Sequence, residues 1–170
     1  MHMSISQKRS GTFAITFALI STLLLALTSC SSNSQEMVTI SLAPAPYTIQ
    51  VPSEIAKHLS IENMAADTAN GFSAQAKAAG AIAQVRINYT ADDGSLHGFA
   101  GVYYFAKADF EKAQNPNEPP LYGSKVVEEN SMVLAVAGPQ DSIFEPATQD
   151  GKNVTSLYSL IYDQQTFKSS

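Results

Sequence analysis

The chain has 170 residues, of which 45% are hydrophobic and 15% are charged, and its formal net charge at pH 7 is −5. An acidic balance of this kind disfavours binding to nucleic acid or to an anionic membrane surface. Cys30 is the single cysteine, which excludes an intramolecular disulfide framework and a zinc site built on several cysteines.

Residues 1–30 have the layout of a secretory signal peptide. Lys8 and Arg9 precede an uncharged, mostly apolar stretch at 11–28, and small polar residues then lead to Cys30. The apolar part is shorter than the roughly 20 residues that span a bilayer comfortably, and no charge follows it until Glu36. The alternatives are an uncleaved N-terminal membrane helix and an ordinary secretory signal with an incidental cysteine.

The sequence Leu27-Thr28-Ser29-Cys30, followed by a polar run, resembles the lipobox of bacterial lipoproteins. The resemblance implies a diacylglyceryl group on the Cys30 sulfur, cleavage between Ser29 and Cys30, and in many bacteria acylation of the new amine. Two or more acyl chains hold a protein firmly on a membrane. The predicted organisation is therefore a lipoprotein signal peptide at 1–29, a lipidated polar tether at 30–36 and one domain at 37–170.

Removal of residues 1–29 would leave 141 of the 170 residues, with eight basic against fifteen acidic side chains and a net charge of −7. That length suits one domain with a substantial core. An extended tether of this length reaches less than about 20 Å. We therefore expect the domain to lie close to the extracytoplasmic face of the cell membrane, or of the outer membrane if the host has two.

Alternation of apolar and polar residues predicts strands at 37–42 and 47–51, separated by a proline-containing break. A short helical turn is expected from Ser53 to His58, and another strand begins at 59–61. Residues 65–83 are rich in alanine, the best helix former. Positions 72, 74, 76 and 78 nevertheless alternate with polar residues after the turn signal Asn70-Gly71. We therefore predict a strand at 72–78.

The clearest element is a hairpin that pairs 85–89 with the aromatic segment 99–105 around Asp92-Asp93-Gly94. A short helix at 108–113, a proline-rich loop at 115–121 and a second hairpin of 124–128 with 132–137 follow. Residues 138–151 are predicted to be irregular. The chain then forms an amphipathic helix capped by Asn153, with an apolar stripe at Val154, Leu157, Tyr158, Ile161 and Tyr162.

This order of elements predicts an α+β fold, in which an antiparallel sheet carries a short helix and the C-terminal amphipathic helix on one face. The segment Tyr47-Thr48-Ile49-Gln50-Val51-Pro52 is similar to the aromatic-x-hydrophobic-x-Val-Pro start of small exported sheet domains. Uncharacterised Gram-positive lipoproteins and the PsbP/Mog1-like group have such domains. The resemblance implies an architecture and no activity.

The sequence contains no recognisable catalytic motif. His58 and His97 lie about forty residues apart without metal-ligand spacing, so neither a zinc site nor another metal site or cofactor is predicted. The run Asp150-Gly151-Lys152-Asn153 is similar to a fragment of a calcium loop, but a solvated Asp-Gly turn is the favoured interpretation. Glu128 and Glu129 are expected to point to opposite faces of a strand end.

The functional prediction is a membrane-anchored module that binds an envelope protein or a glycan, as a monomer and without nucleic acid. Tyr103, Tyr104 and Tyr122 are candidates for the binding surface, since amphipathic tyrosines are typical of such surfaces. The alternatives are a structural envelope component and an exported hydrolase. The hydrolase would need a cleft that brings His58 or His97 together with a carboxylate.

Overall fold

The computed structural model describes residues 35–64 and 71–170, which belong to one compact unit. The predicted signal peptide, Ser29 and Cys30 lie outside these residues. No helix in the described ranges is long and apolar enough to cross a membrane.

Eight strands and four helices are described in this part of the chain. The strands are β1 (Met37–Ser41), β2 (Tyr47–Pro52), β3 (Leu59–Asn63), β4 (Ala81–Thr90), β5 (Leu96–Ala106), β6 (Ser124–Glu129), β7 (Met132–Ala137) and β8 (Phe167–Ser169). The helices are α1 (Ser53–Ala56), α2 (Gly71–Ala78), α3 (Lys107–Ala113) and α4 (Gln149–Ile161), and a 3₁₀ turn at Gln164–Thr166 precedes β8.

The strands form two antiparallel sheets. The smaller sheet has the order β1-β2-β8, and the larger has the order β3-β4-β5-β7-β6. Both predicted hairpins are present as β4–β5 and β6–β7. The α+β class and the antiparallel sheet are therefore confirmed, and β8 is an element that the sequence pattern did not reveal.

The larger sheet buries side chains on both faces. On one face, Val102 of β5 and Leu134 of β7 pack with residues of β2 and with Leu157 and Ile161 of α4. On the other face, Phe105 and its neighbours pack with Phe110 of α3 and with α2. Successive residues of a strand point to opposite faces, so α4 and the smaller sheet cover one side while α2 and α3 cover the other.

The strand predicted at 72–78 is wrong, because these residues form helix α2. Alternation of alanine with polar residues gives little apolar contrast, because alanine is only weakly apolar, and its helix propensity prevails. Ser73 and Ala76 are the buried members of the helix among residues 73–78, at the i, i+3 spacing of one helical face. Ser73 also donates a hydrogen bond of 2.8 Å to the Met64 carbonyl.

Helix α4 starts earlier than predicted. Thr148 is the N-cap, and its hydroxyl oxygen accepts a hydrogen bond of 3.0 Å from the Gly151 amide. Asn153, the predicted cap, is a buried residue inside the helix. A Cβ at Gly151 would lie 2.1 Å from the Glu145 carbonyl oxygen, so glycine permits the preceding loop to pack against this turn.

Candidate functional site

The three tyrosines predicted to form a binding surface lie mainly in the core. Tyr103 and Tyr122 are 7% and 2% exposed, and their rings contact each other edge to face at 5.4 Å. Tyr104, on the opposite face of β5, is half-buried against Tyr47. The aromatic segment supplies core contacts on both faces of the sheet, so these residues do not form an exposed patch.

A polar cluster lies instead where β4 ends and the β4–β5 turn begins. His58 precedes β3, and the register that places Leu59 opposite Tyr89 brings it beside the end of β4. The backbone amide of Thr90 donates to the His58 carbonyl at 2.7 Å. The His58 ring stacks on the Tyr89 ring with centroids 5.1 Å apart. Backbone pairing and ring stacking therefore fix this imidazole.

The same cluster contains a carboxylate held by two donors. Asp150, in the first turn of α4, accepts 2.7 Å from the Tyr89 hydroxyl and 3.2 Å from the Asp92 backbone amide. Asn153 donates 3.1 Å to the Tyr89 hydroxyl oxygen and so orients that hydroxyl toward Asp150. Burial, together with the Asp150 carboxylate, raises the pKa of Tyr89 to about 12. The phenol therefore stays protonated at neutral pH and remains a donor.

Asp92 completes the cluster from the turn. Its Oδ1 lies 3.9 Å from Nε2 of His58, and its side chain is 60% exposed while that of His58 is 12% exposed. One ligand atom each from His58, Asp92 and Asp150 lie within 4.8 Å of one another. Nitrogen and carboxylate ligands at such spacing form a candidate metal site.

Sequence reasoning missed this cluster. Its members come from three separate segments, so no local spacing links them, and Asp150 was expected in a solvated turn. That interpretation is wrong, because Asp150 and Gly151 lie within α4. The sequence offered the two histidines and the turn Asp92-Asp93-Gly94 separately, and only the pairing of β3 with β4 brings His58 to that turn.

His97, the other histidine of the described residues, takes part in a different network. Its Nε2 lies 2.8 Å from the Ser95 hydroxyl, which in turn donates 2.6 Å to the Asp93 carboxylate. This bond and a second one from the Ser95 amide hold the pKa of Asp93 below its usual value. The Asp93 carboxylate therefore accepts a hydrogen bond from the Ser95 hydroxyl and does not orient the His97 ring. In the arrangement that activates a nucleophilic serine, the carboxylate orients the imidazole and the imidazole accepts the serine proton.

A groove of about 260 Å³ lies on the α2 side of the larger sheet. Gly98, Gly101 and Gly138 contribute to its walls beside Arg86 and Tyr103. A Cβ at Gly98 would meet the Arg86 side chain at 3.5 Å, an ordinary contact distance. Arg86 also pairs with Glu62 at 3.4 Å. The groove therefore combines the Arg86 guanidinium with the backbone of three glycines, and this combination suits a polar ligand.

The adjacent glutamates at the end of β6, which were predicted to point to opposite faces, have separate partners. Glu128 pairs with Lys107 and Lys125, whose hydrogen bonds lower its pKa to about 2. Glu129 accepts hydrogen bonds from the hydroxyls of Tyr47 and Ser169. Each carboxylate therefore has a structural partner on its own side of the strand.

The chain matches no family model, no curated protein and no solved structure at a significant level. The resemblances to the lipobox and to the PsbP/Mog1-like domains therefore stay predictions.

Proposed function

We propose that this protein is an exported, lipid-anchored module of the bacterial cell envelope that binds an envelope protein or a glycan. The observation that carries the proposal is the position of Cys30, the single cysteine, at the end of an uncharged apolar segment. The domain begins shortly afterwards, where the Ser53 amide donates 2.8 Å to the Glu36 carbonyl and β1 starts at Met37. An anchor at Cys30 would therefore hold the fold close to the membrane surface.

The groove beside Arg86 supports a binding role. It offers the Arg86 guanidinium, which also pairs with Glu62, together with glycine backbone, and polar ligands use such groups. We place the binding surface in this groove, which Tyr103 helps to line, rather than on an exposed patch of the three tyrosines. A structural envelope component or a hydrolase would not need a ligand in this groove.

Replacement of the cysteine tests the anchor. Cells that express the full chain should incorporate labelled palmitate into it, and the protein should enter the detergent phase on phase separation. Cys30→Ser should lose both properties. The double variant Cys30→Ser with Ser32→Cys is the matched control, since it keeps one thiol but moves it off the predicted cleavage site. Retained palmitate in Cys30→Ser, or equal labelling of the double variant, would refute the anchor.

Filling the groove tests the binding role. A ligand that binds only the folded state raises the apparent melting temperature. The full chain in isolated envelopes should therefore melt higher than the same chain purified in detergent. Gly98→Val should lose most of this difference, whereas Leu96→Val, at an exposed position outside the groove, should keep it. An equal difference for both variants would exclude the groove, and no difference for the wild type would favour a structural component.

A further inference from the structure

The hydrogen bonding of His58 fixes which ring nitrogen is free. Its Nδ1 lies 2.8 Å from the carbonyl oxygen of Thr90. A carbonyl only accepts, so Nδ1 carries the proton and the neutral ring presents a lone pair at Nε2. A histidine that binds a metal commonly donates its other ring N–H to a backbone carbonyl in the same way.

The free nitrogen faces two carboxylates. Nε2 lies 3.9 Å from Oδ1 of Asp92, and Asp150 completes a set of three ligand atoms within 4.8 Å of one another. Three acceptors in such a group repel one another unless a cation or a proton lies between them. In the ranges that the structure describes, no lysine or arginine forms an ion pair with either aspartate. Among these residues the cluster therefore has no lysine or arginine to compensate its two carboxylates.

The surroundings of Asp150 hold its carboxylate in place. The Tyr89 hydroxyl and the Asp92 amide donate to it, and Asn153 orients the hydroxyl. Such outer hydrogen bonds orient metal ligands and tune their affinity. Asp92 is the exposed member on a turn, so its side chain can move the short distance needed to close on an ion. Two ligands are thus held rigidly and the third is adjustable.

We propose that His58, Asp92 and Asp150 bind a divalent transition-metal ion of the Zn²⁺ type. Imidazole nitrogen suits Zn²⁺, whereas Ca²⁺ and Mg²⁺ prefer oxygen ligands. Zinc ligands lie about 2.0–2.2 Å from the ion and so at most about 4.4 Å apart, which requires the three ligand atoms to draw closer on binding. Three protein ligands leave a coordination position for water, and the exposure of Asp92 places that position toward solvent. This site is independent of the lipid anchor and of the groove.

Metal titration of the full, tag-free chain tests the proposal. Isothermal titration with Zn²⁺ should give one site per chain, with a Kd that an excess of Mg²⁺ or Ca²⁺ leaves unchanged. Asp92→Asn should weaken Zn²⁺ binding by about tenfold or more, and this exposed position should not disturb the fold. His58→Gln should weaken binding by about 100-fold. Both expectations follow from the loss of a direct ligand in a site of three.

His97→Gln and Asp93→Asn are the matched controls, since they remove the same groups from the neighbouring network and should leave the Kd within about twofold. On addition of Zn²⁺, the NMR signals of the His58 ring should shift before those of His97. Wild-type chain without a one-to-one site, or His58→Gln with an unchanged Kd, would overturn the proposal. If no Zn²⁺ binds and the His58 ring is found protonated beside Asp92, the two residues form an ion pair and the metal site is excluded.

Discussion

The Tyr47 hydroxyl donates a hydrogen bond of 2.8 Å to Oε1 of Glu129 and so joins the smaller sheet to the edge of the larger one. The Ser169 hydroxyl donates 2.6 Å to the same oxygen from β8. One carboxylate at the end of β6 therefore links two strands of the smaller sheet. Glu129 acts here as a structural acceptor that joins the two sheets.

The two hydroxyl donors should make Glu129 sensitive to pH. The hydrogen bond from Ser169, followed by that from Tyr47, holds the pKa of Glu129 below its usual value of 4.5. Its stabilising contribution is thus complete above pH 4.5 and is lost as the pH falls through the lowered pKa. Tyr47→Phe and Ser169→Ala should each raise this pKa in an NMR titration. Glu54→Gln, a distant control, should not move it, and an unchanged pKa in both hydroxyl variants would refute the link.

Gly123 should be far less tolerant of a side chain than Gly94, although both have positive φ (77° and 85°). A Cβ at Gly123 would lie 2.0 Å from the Val136 carbonyl oxygen of β7, whereas nothing lies within 4 Å of one at Gly94. Gly94→Ala should cost only the left-handed strain of about 1–2 kcal/mol. Gly123→Ala should cost about 3 kcal/mol or more, because backbone must also move. Equal losses in urea unfolding would contradict this packing.

Leu157 and Ile161 should carry the contact of α4 with the larger sheet, since both are fully buried one turn apart. Leu157→Ala and Ile161→Ala should each lower the free energy of unfolding by about 2–5 kcal/mol through lost contacts and a residual cavity. Ser156→Ala, on the exposed face of the same helix, should change it by less than about 0.5 kcal/mol. Thermal melts of the three variants decide the matter, and similar losses in all three would exclude a packed amphipathic helix.

Thr148 should stabilise the start of α4 through its side chain. Its hydroxyl oxygen accepts from the Gly151 amide, and the hydroxyl donates 2.7 Å to the Glu145 carbonyl. Thr148→Ala should cost about 1 kcal/mol of stability, whereas Thr148→Ser should keep nearly all of it. Circular dichroism during urea unfolding measures the difference. A serine variant as unstable as the alanine variant would show that the methyl group, rather than the cap, matters.

The hairpins could be predicted because their strands combine β-branched and aromatic residues with strong turn signals such as Asp93-Gly94. Helix α2 could not, since alternating alanine carries no contrast between a buried and an exposed face. The start of α4 was not predicted, because Gly151 is typical of a turn. Glycine suits this position inside the helix because the Glu145 carbonyl oxygen approaches too closely for a side chain. A local sequence pattern predicts an element only where its buried and exposed faces differ clearly in apolar character.

The His58 cluster shows a different limit. Each member has an ordinary local interpretation: a residue after a short helix, a turn aspartate and an acid in the first turn of a helix. Their proximity depends on strand register and on how α4 docks, which involve contacts between distant residues. The buried tyrosines fail as a predicted surface for the same reason, because both faces of β5 are covered by elements from elsewhere in the chain.

Strand β2 lies between β1, its neighbour in sequence, and β8, from which it is separated by 120 residues at the Thr48–Lys168 contact. Pairing over such a distance requires closure of a very large loop, so we expect it to form late during folding. A chain threaded through a membrane from its N-terminus would keep the smaller sheet incomplete until residue 169 had passed. If the chain is exported in this way, as proposed above, the pairing of β2 with β8 would allow the smaller sheet to be completed only after the C-terminal strand has crossed.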